Sequence, residues 1–191
     1  EKEKNRLSEE IFHTLVREAK LRFLVITNEI GFRLPEKRKV KSSRTLTKKD
    51  GQPLQRSLFD YVPEEDFNET EKRVAWYLEE QDRLLWWYRN VPRRDYGVQG
   101  WRRNKIYADF IFTDATGESE KYNRAHVVET KGIHLKEFED TKYKRSVFQL
   151  CNKLGKKMTR SQLGEQLNVP EISFQVIDED EWQQRLNEMF Q

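Results

Sequence analysis

The chain has 191 residues, enough for one domain of ordinary size or one domain with an appendage. Only 36% of residues are hydrophobic and another 36% are charged, but aromatics reach 12% with five Trp, which predicts a folded domain with a highly charged surface and argues against disorder. No apolar run nears the ~18 residues of a membrane span, no signal-peptide pattern opens the chain, and the single Cys151 excludes an internal disulfide or a multi-cysteine zinc site. A cytoplasmic location with no membrane partner is therefore expected.

The chain begins at Glu1 in a charged, helix-like run, which reads as a piece of a larger protein. Ser8-Glu9-Glu10 suits an N-cap with first-turn acids, followed by Ile11, Leu15, Val16 and Ala19 at helical spacing. The run "LRFLVIT" (21–27) fits a helix extension or a strand, and periodicity does not choose between them. From Arg33 to Arg56 nine Lys/Arg stand against Glu36 and Asp50. Within this run Asp50-Gly51 predicts a turn closing a small hairpin between "RTLTKK" and "QPLQ". Residues 1–56 are read as a connector or accessory subdomain, and "LFDYVP" (58–63) as the segment docking it to a main domain of residues 57–191.

In the main domain Asn68 to Glu71 fits a capping pattern that opens a helix with Val74, Ala75, Tyr77 and Leu78 on one face. Glu71 shares that face, whereas Glu69 aligns with Lys72. "LLWWYRN" and "DYGVQGW" read as strands, or a strand and its turn. "KIYADFIFTD" (105–114) and "VVETKG" (127–132) follow as two strands, with a polar connection from Asp114 to Arg124 that predicts a hairpin. Helical spacing returns at Asp140, where Tyr143, Val147, Leu150, Cys151 and Leu154 form an apolar stripe ending near Gly155. "ISFQVID" is a further strand and Asp178 leads into a last helix. The expected class is α/β, a mixed central sheet flanked by helices, with an N-terminal helical and basic connector.

The two strands at 105–114 and 127–132 carry charges that a core does not tolerate without a partner or a job. Side chains two apart on a strand share a face, so Glu129 and Lys131 point together while Val128 and Thr130 take the other side. Asp109 shares its face with Tyr107 and Ile111, and converges with Glu129 if the strands are neighbours. Two close carboxylates repel unless a cation lies between them or one is protonated. Mg²⁺ suits such a pair because it binds through one or two carboxylates and keeps several waters; Mn²⁺ is the alternative. A second basic cluster, with Arg89, Arg93, Arg94, Arg102, Arg103 and Lys105, is interleaved with Trp86, Trp87, Tyr88, Tyr96 and Trp101, which suits nucleic acid. The three histidines show no metal spacing.

An aspartate at a strand end followed by Glu-x-Lys on the next strand resembles the PD-(D/E)xK nuclease superfamily, spelled here Ala108-Asp109 … Glu129-Thr130-Lys131. Ala108 replaces the usual proline, which weakens the match without removing a ligand. The resemblance implies a restriction-endonuclease-like fold, metal ligands at Asp109, Glu129 and the inward-facing Glu71, and a catalytic lysine at Lys131. Some branches add a Gln or Lys from the following helix; Gln149 on its polar flank and nearby Lys142 are the candidates. "FNETEKRVAWYLE", "LLWWYRN", "YGVQGW", "KIYADFIFTD", "VVETKGIHL" and "DTKYKRSVFQL" also resemble, in that order, the C-terminal nuclease part of type III restriction-type subunits. That likeness covers about residues 57–191. It implies DNA as substrate, a helicase/ATPase motor on the same full-length chain, and a modification or specificity subunit as a further partner. The alternative is a catalytically silent nucleic-acid-binding or subunit-docking module.

Overall fold

The computed structural model describes residues 2–18, 20, 24–26, 37, 39–40, 44–115, 124–135, 137–158 and 171–190. In chain order the elements are α1 (Lys2–Arg17), β1 (Leu24–Ile26), α2 (Glu69–Glu79), β2 (Leu84–Arg89), β3 (Phe110–Asp114), β4 (Arg124–Lys131), α3 (Glu139–Leu154), β5 (Lys156–Met158), β6 (Glu171–Asp178) and α4 (Trp182–Met189). The central sheet runs β2-β3-β4-β6, with β2–β3 and β3–β4 antiparallel and β4–β6 parallel. Short β1 and β5 pair in parallel as a separate two-stranded sheet, so "LRFLVIT" contains a strand. The chain is therefore mixed α/β.

Strand alternation divides the core between the two faces of the sheet. On one face Ile111, Ala125, Val127 and Phe174 meet Tyr143, Val147, Phe148 and Cys151 of α3. On the other, Trp87, Phe110, Phe112, Val128 and Ile177 meet Val74, Ala75 and Leu78 of α2 and Leu186 and Met189 of α4. Leu84 and Trp87 face the same side despite their odd spacing, because the register slips between Leu84 and Trp86. Burial in this packing pushes the Cys151 thiol up to about 11, so it behaves as a core residue.

Several expectations need correction. α1 already runs from Lys2, so Ser8 lies inside the helix; "KEKNRL" consists mostly of good helix formers and propagates it without that cap. The Asp50-Gly51 turn forms, with Gly51 at φ 82° and its N–H donating to the Lys48 carbonyl at 2.9 Å. Its flanks do not ladder as a hairpin over their length, however. Leu46 donates instead to the Val62 carbonyl at 2.7 Å, and Leu58 to that of Trp87 at 2.8 Å. Leu46 and Val62 are both buried in the α2 core, and the buried Glu79 accepts from the Gln55 and Arg56 amides and from Trp87 Nε1. Residues 44–56 thus belong to the same packed unit as the segment after them, and no gap in packing falls at 56/57. Residues 95–101 form loop and not strand; the 98–106 loop is closed by paired Val98 and Ile106, and β3 begins only at Phe110. The Asp114–Arg124 connection lies largely outside the described residues, as does most of the basic run before Arg44.

Candidate functional site

The antiparallel ladder between β3 and β4 ends where the Asp109 amide donates to the Val128 carbonyl at 2.9 Å. Beyond that point Thr130 presents its N–H toward β3 with no strand opposite. The Asp109 carboxylate fills the gap: its Oδ2 accepts from Thr130 N at 2.7 Å and Thr130 Oγ1 at 2.8 Å. Arg89, the last residue of β2, donates to Asp109 Oδ1 at 3.2 Å and to Glu71 Oε1 at 2.7 Å. The expectation that Asp109 follows the face of Ile111 therefore needs adjustment. It sits in the bend before β3, freed from the pleat, and its carboxylate turns to Thr130 and Arg89.

Glu129 keeps the parity of Ala125 and Val127 and points toward α3. It is 2% exposed, and its Oε1 lies 2.5 Å from Lys131 Nζ and 2.7 Å from Lys144 Nζ. Its Oε2 is buried without a hydrogen-bond partner among the described residues. Burial raises the Glu129 pKa, the Asp109 charge raises it further, and the two ammoniums oppose the shift in part. Burial acts to lower the Lys144 ammonium, but attraction and hydrogen bonding to Glu129, helped by Asp140, outweigh it and hold it above the ordinary lysine range.

Glu71 is buried on the core face of α2 with both oxygens engaged. Oε2 accepts from the Asn68 amide at 2.9 Å, closing a capping box, while Oε1 holds Arg89. Desolvation raises its pKa against the lowering by Arg89. Glu71 thus reaches the site through the guanidinium. Arg89, expected on nucleic acid, is turned inward over the Phe67 and Phe110 rings. Gln149 is exposed and lines a groove beside β6 with Arg145 and Arg185. Lys144 is the α3 residue that reaches Glu129. Sequence reading missed it, although a lysine three residues after Thr141 and four before Phe148 lies on the buried stripe, where a cation needs a partner.

Of the other cations, Arg94 pairs with Asp95 at 3.0 Å and Lys142 with Glu137 at 2.9 Å. Arg102 lies 3.6 Å from Asp140 and over the Tyr143 ring. Arg93, Arg103 and Lys105 are exposed.

A divalent ion is testable against this donor set. Among the described residues no group of three His, Cys, Asp or Glu gathers to hold a metal. Mg²⁺ needs only one or two carboxylates, and the unpartnered Glu129 Oε2 beside a second carboxylate fits that requirement. Glu129, through its open Oε2, is the residue that would hold the ion, with Asp109 as the second carboxylate where Arg89 gives up Oδ1; Glu71, whose oxygens hold the Asn68 amide and Arg89, supports the site through that guanidinium. Compared with protein-family models, curated proteins and solved structures, the chain has no significant match. No helix among the described residues is long and apolar enough to cross a membrane.

Proposed function

We propose that this chain is a divalent-metal-dependent phosphodiesterase domain that cuts DNA, on a restriction-endonuclease-like version of the α/β fold, and that it serves a helicase–nuclease of the restriction or phage-defence kind. The observation that carries the reading is one arrangement: Asp109 and Glu129 at the same end of two paired strands, Lys131 against Glu129, and a buried Glu129 oxygen with no partner among the described residues. Bound there, Mg²⁺ would supply Lewis-acid stabilisation of the phosphoryl oxygens and acidify a water. Asp109 and Glu129 supply the negative charge that holds the ion. Lys131, 17% exposed at its side chain, would donate to a phosphate oxygen as charge develops. Thr130 and Arg89 fix the Asp109 carboxylate, and Lys144 fixes Glu129.

One observation favours a second reading. The three carboxylates already hold internal cations, Arg89, Lys131 and Lys144, an arrangement that suits a domain binding nucleic acid without cutting it. One experiment separates the two. DNA incubated with Mg²⁺ or Mn²⁺ is expected to be cut, with no cutting in EDTA, and Asp109→Asn, Glu129→Gln and Lys131→Ala each to lose on the order of a hundredfold or more in rate. By calorimetry Mn²⁺ binding should vanish in the two carboxylate variants and survive in Lys131→Ala. A parent chain that neither binds Mn²⁺ nor cuts supports the silent module, and undiminished cutting in EDTA overturns the metal mechanism.

A further inference from the structure

Between α1 and the first turns of α3 lies a groove of about 380 Å³. Lys2 and Arg6 of α1, Arg102 of the 98–106 loop and Lys142 of α3 line it, against the two acids Glu9 and Glu139. Two aromatic rings share the lining: Trp101 meets Tyr143 edge-on with centroids 4.9 Å apart. The Arg102 guanidinium lies 4.2 Å from the Tyr143 ring centroid. Among the described residues, Arg6 and Lys142 carry only exposed ion pairs, to Glu3 and Glu10 and to Glu137, and such pairs exchange readily for another anion.

The groove is also wired to the carboxylates. Arg102 is 3.6 Å from Asp140, Asp140 is 3.5 Å from Lys144, and Lys144 is 2.7 Å from Glu129. The cavity is of the size that takes one small molecule. A duplex, stiff over about 150 base pairs, does not enter it without unpairing. An excess of cations with flat aromatic and guanidinium surfaces is the chemistry that recognises a phosphate joined to a base.

We propose that this groove seats one unpaired nucleotide of a nucleic-acid strand, its phosphate held by Arg6, Arg102 and Lys142 and its base against Trp101 and Arg102. The choice of a nucleic-acid strand as occupant rests on the phosphodiesterase reading above. α1 then forms one wall of the substrate site, and single strands or frayed ends are preferred over intact duplex.

The test is fluorescence anisotropy of the 191-residue chain in EDTA, with a labelled oligo-dT and a hairpin duplex of equal length. Oligo-dT should bind more tightly than duplex. The double variant Arg6→Ala, Lys142→Ala should weaken oligo-dT binding on the order of tenfold and flatten its salt slope by about 0.7, the contribution of the single phosphate that the groove holds. Lys153→Ala, on the exposed end of α3, should bind like the parent, and the melting temperature of the double variant should match the parent's because both its side chains are exposed. Unchanged affinity in the double variant, a preference for duplex, or equal displacement of oligo-dT by polyglutamate would each overturn the proposal, the last pointing to an acidic protein segment. Because binding is read in EDTA, strand binding without any metal-supported cutting counts against the phosphodiesterase reading alone. Cutting that persists while the groove variant binds like the parent counts against the groove alone.

Discussion

Two lysines share one oxygen of Glu129 and leave its other oxygen to the protein interior. The folded-state pKa of this acid lies above its ordinary value of 4.5, chiefly through desolvation, so the folded chain binds its proton more tightly than the unfolded chain does. Stability is therefore expected to fall as pH rises from 4.5 through the raised value, with Glu71 contributing in the same direction. Lys144 stays charged throughout that window and adds no slope to it. Melting curves taken across it should decline less steeply for Glu129→Gln than for the parent; parallel declines would remove the desolvation account. Mn²⁺ affinity should rise with pH over the same interval, since the ion requires the ionised acid. A second prediction concerns Arg89, whose side chain is 11% exposed between Glu71 and Asp109. Arg89→Met should cost about 3 kcal/mol or more in a denaturant titration, because the buried Glu71 and the half-buried Asp109 lose their common cation. The shared face of Glu129 and Lys131 was legible from strand parity alone. The turn of Asp109 toward Thr130 was not, because it depends on where the ladder stops, and that is a property of two strands together. Arg89 reads as surface charge in a basic stretch until α2 brings Glu71 against it.

α2 and α3 follow their local signals closely. The capping pattern at Asn68 and Glu71 produces a reciprocal box, and α3 spans Glu139–Leu154 with Gly155 as its cap, one residue from the sequence expectation at its start. Such signals act within four residues and need no knowledge of the fold. The hairpin expected around Asp50-Gly51 was misread for the opposite reason. Amides in segment 44–63 are satisfied by Val62, Trp87 and the Glu79 side chain, partners 16 to 29 residues away, so turn chemistry at Gly51 could not reveal them. Glu79 is the element-scale test. Glu79→Ala strands the Gln55 and Arg56 amides and Trp87 Nε1, and about 3 kcal/mol of stability should be lost. Hydrogen exchange at residues 55 and 56 should speed up by more than at β4. Equal acceleration everywhere would mean that Glu79 supports the whole core and not this strap in particular.

Across the molecule the 98–106 loop approaches α3 closely at Gly100. A Cβ on Gly100 would lie 2.5 Å from the Tyr143 hydroxyl and 2.6 Å from Val147 Cγ2, both buried side chains. Gly100→Ala should therefore push the loop off α3 at a cost of about 1–3 kcal/mol. It should also weaken oligo-dT binding while leaving Mn²⁺ affinity unchanged, measured by anisotropy and calorimetry. The parallel pairing of β4 with β6 has a further consequence, one of timing. β3 and β4 are antiparallel neighbours in the chain, whereas β6 reaches β4 only after a crossover from Gly132 to Pro170 has closed. Closing that long loop before its contacts repay the lost entropy is slow. Asp109 and Glu129 then come together early on the hairpin, and Lys144 reaches Glu129 only when α3 docks. In pulsed exchange during refolding, the His126 and Val128 amides, which share the β3 side of β4 with that of Thr130, should gain protection ahead of those of Phe174 to Ile177. For that interval the site is a pair of like charges still open to water, and an added divalent ion should accelerate its assembly.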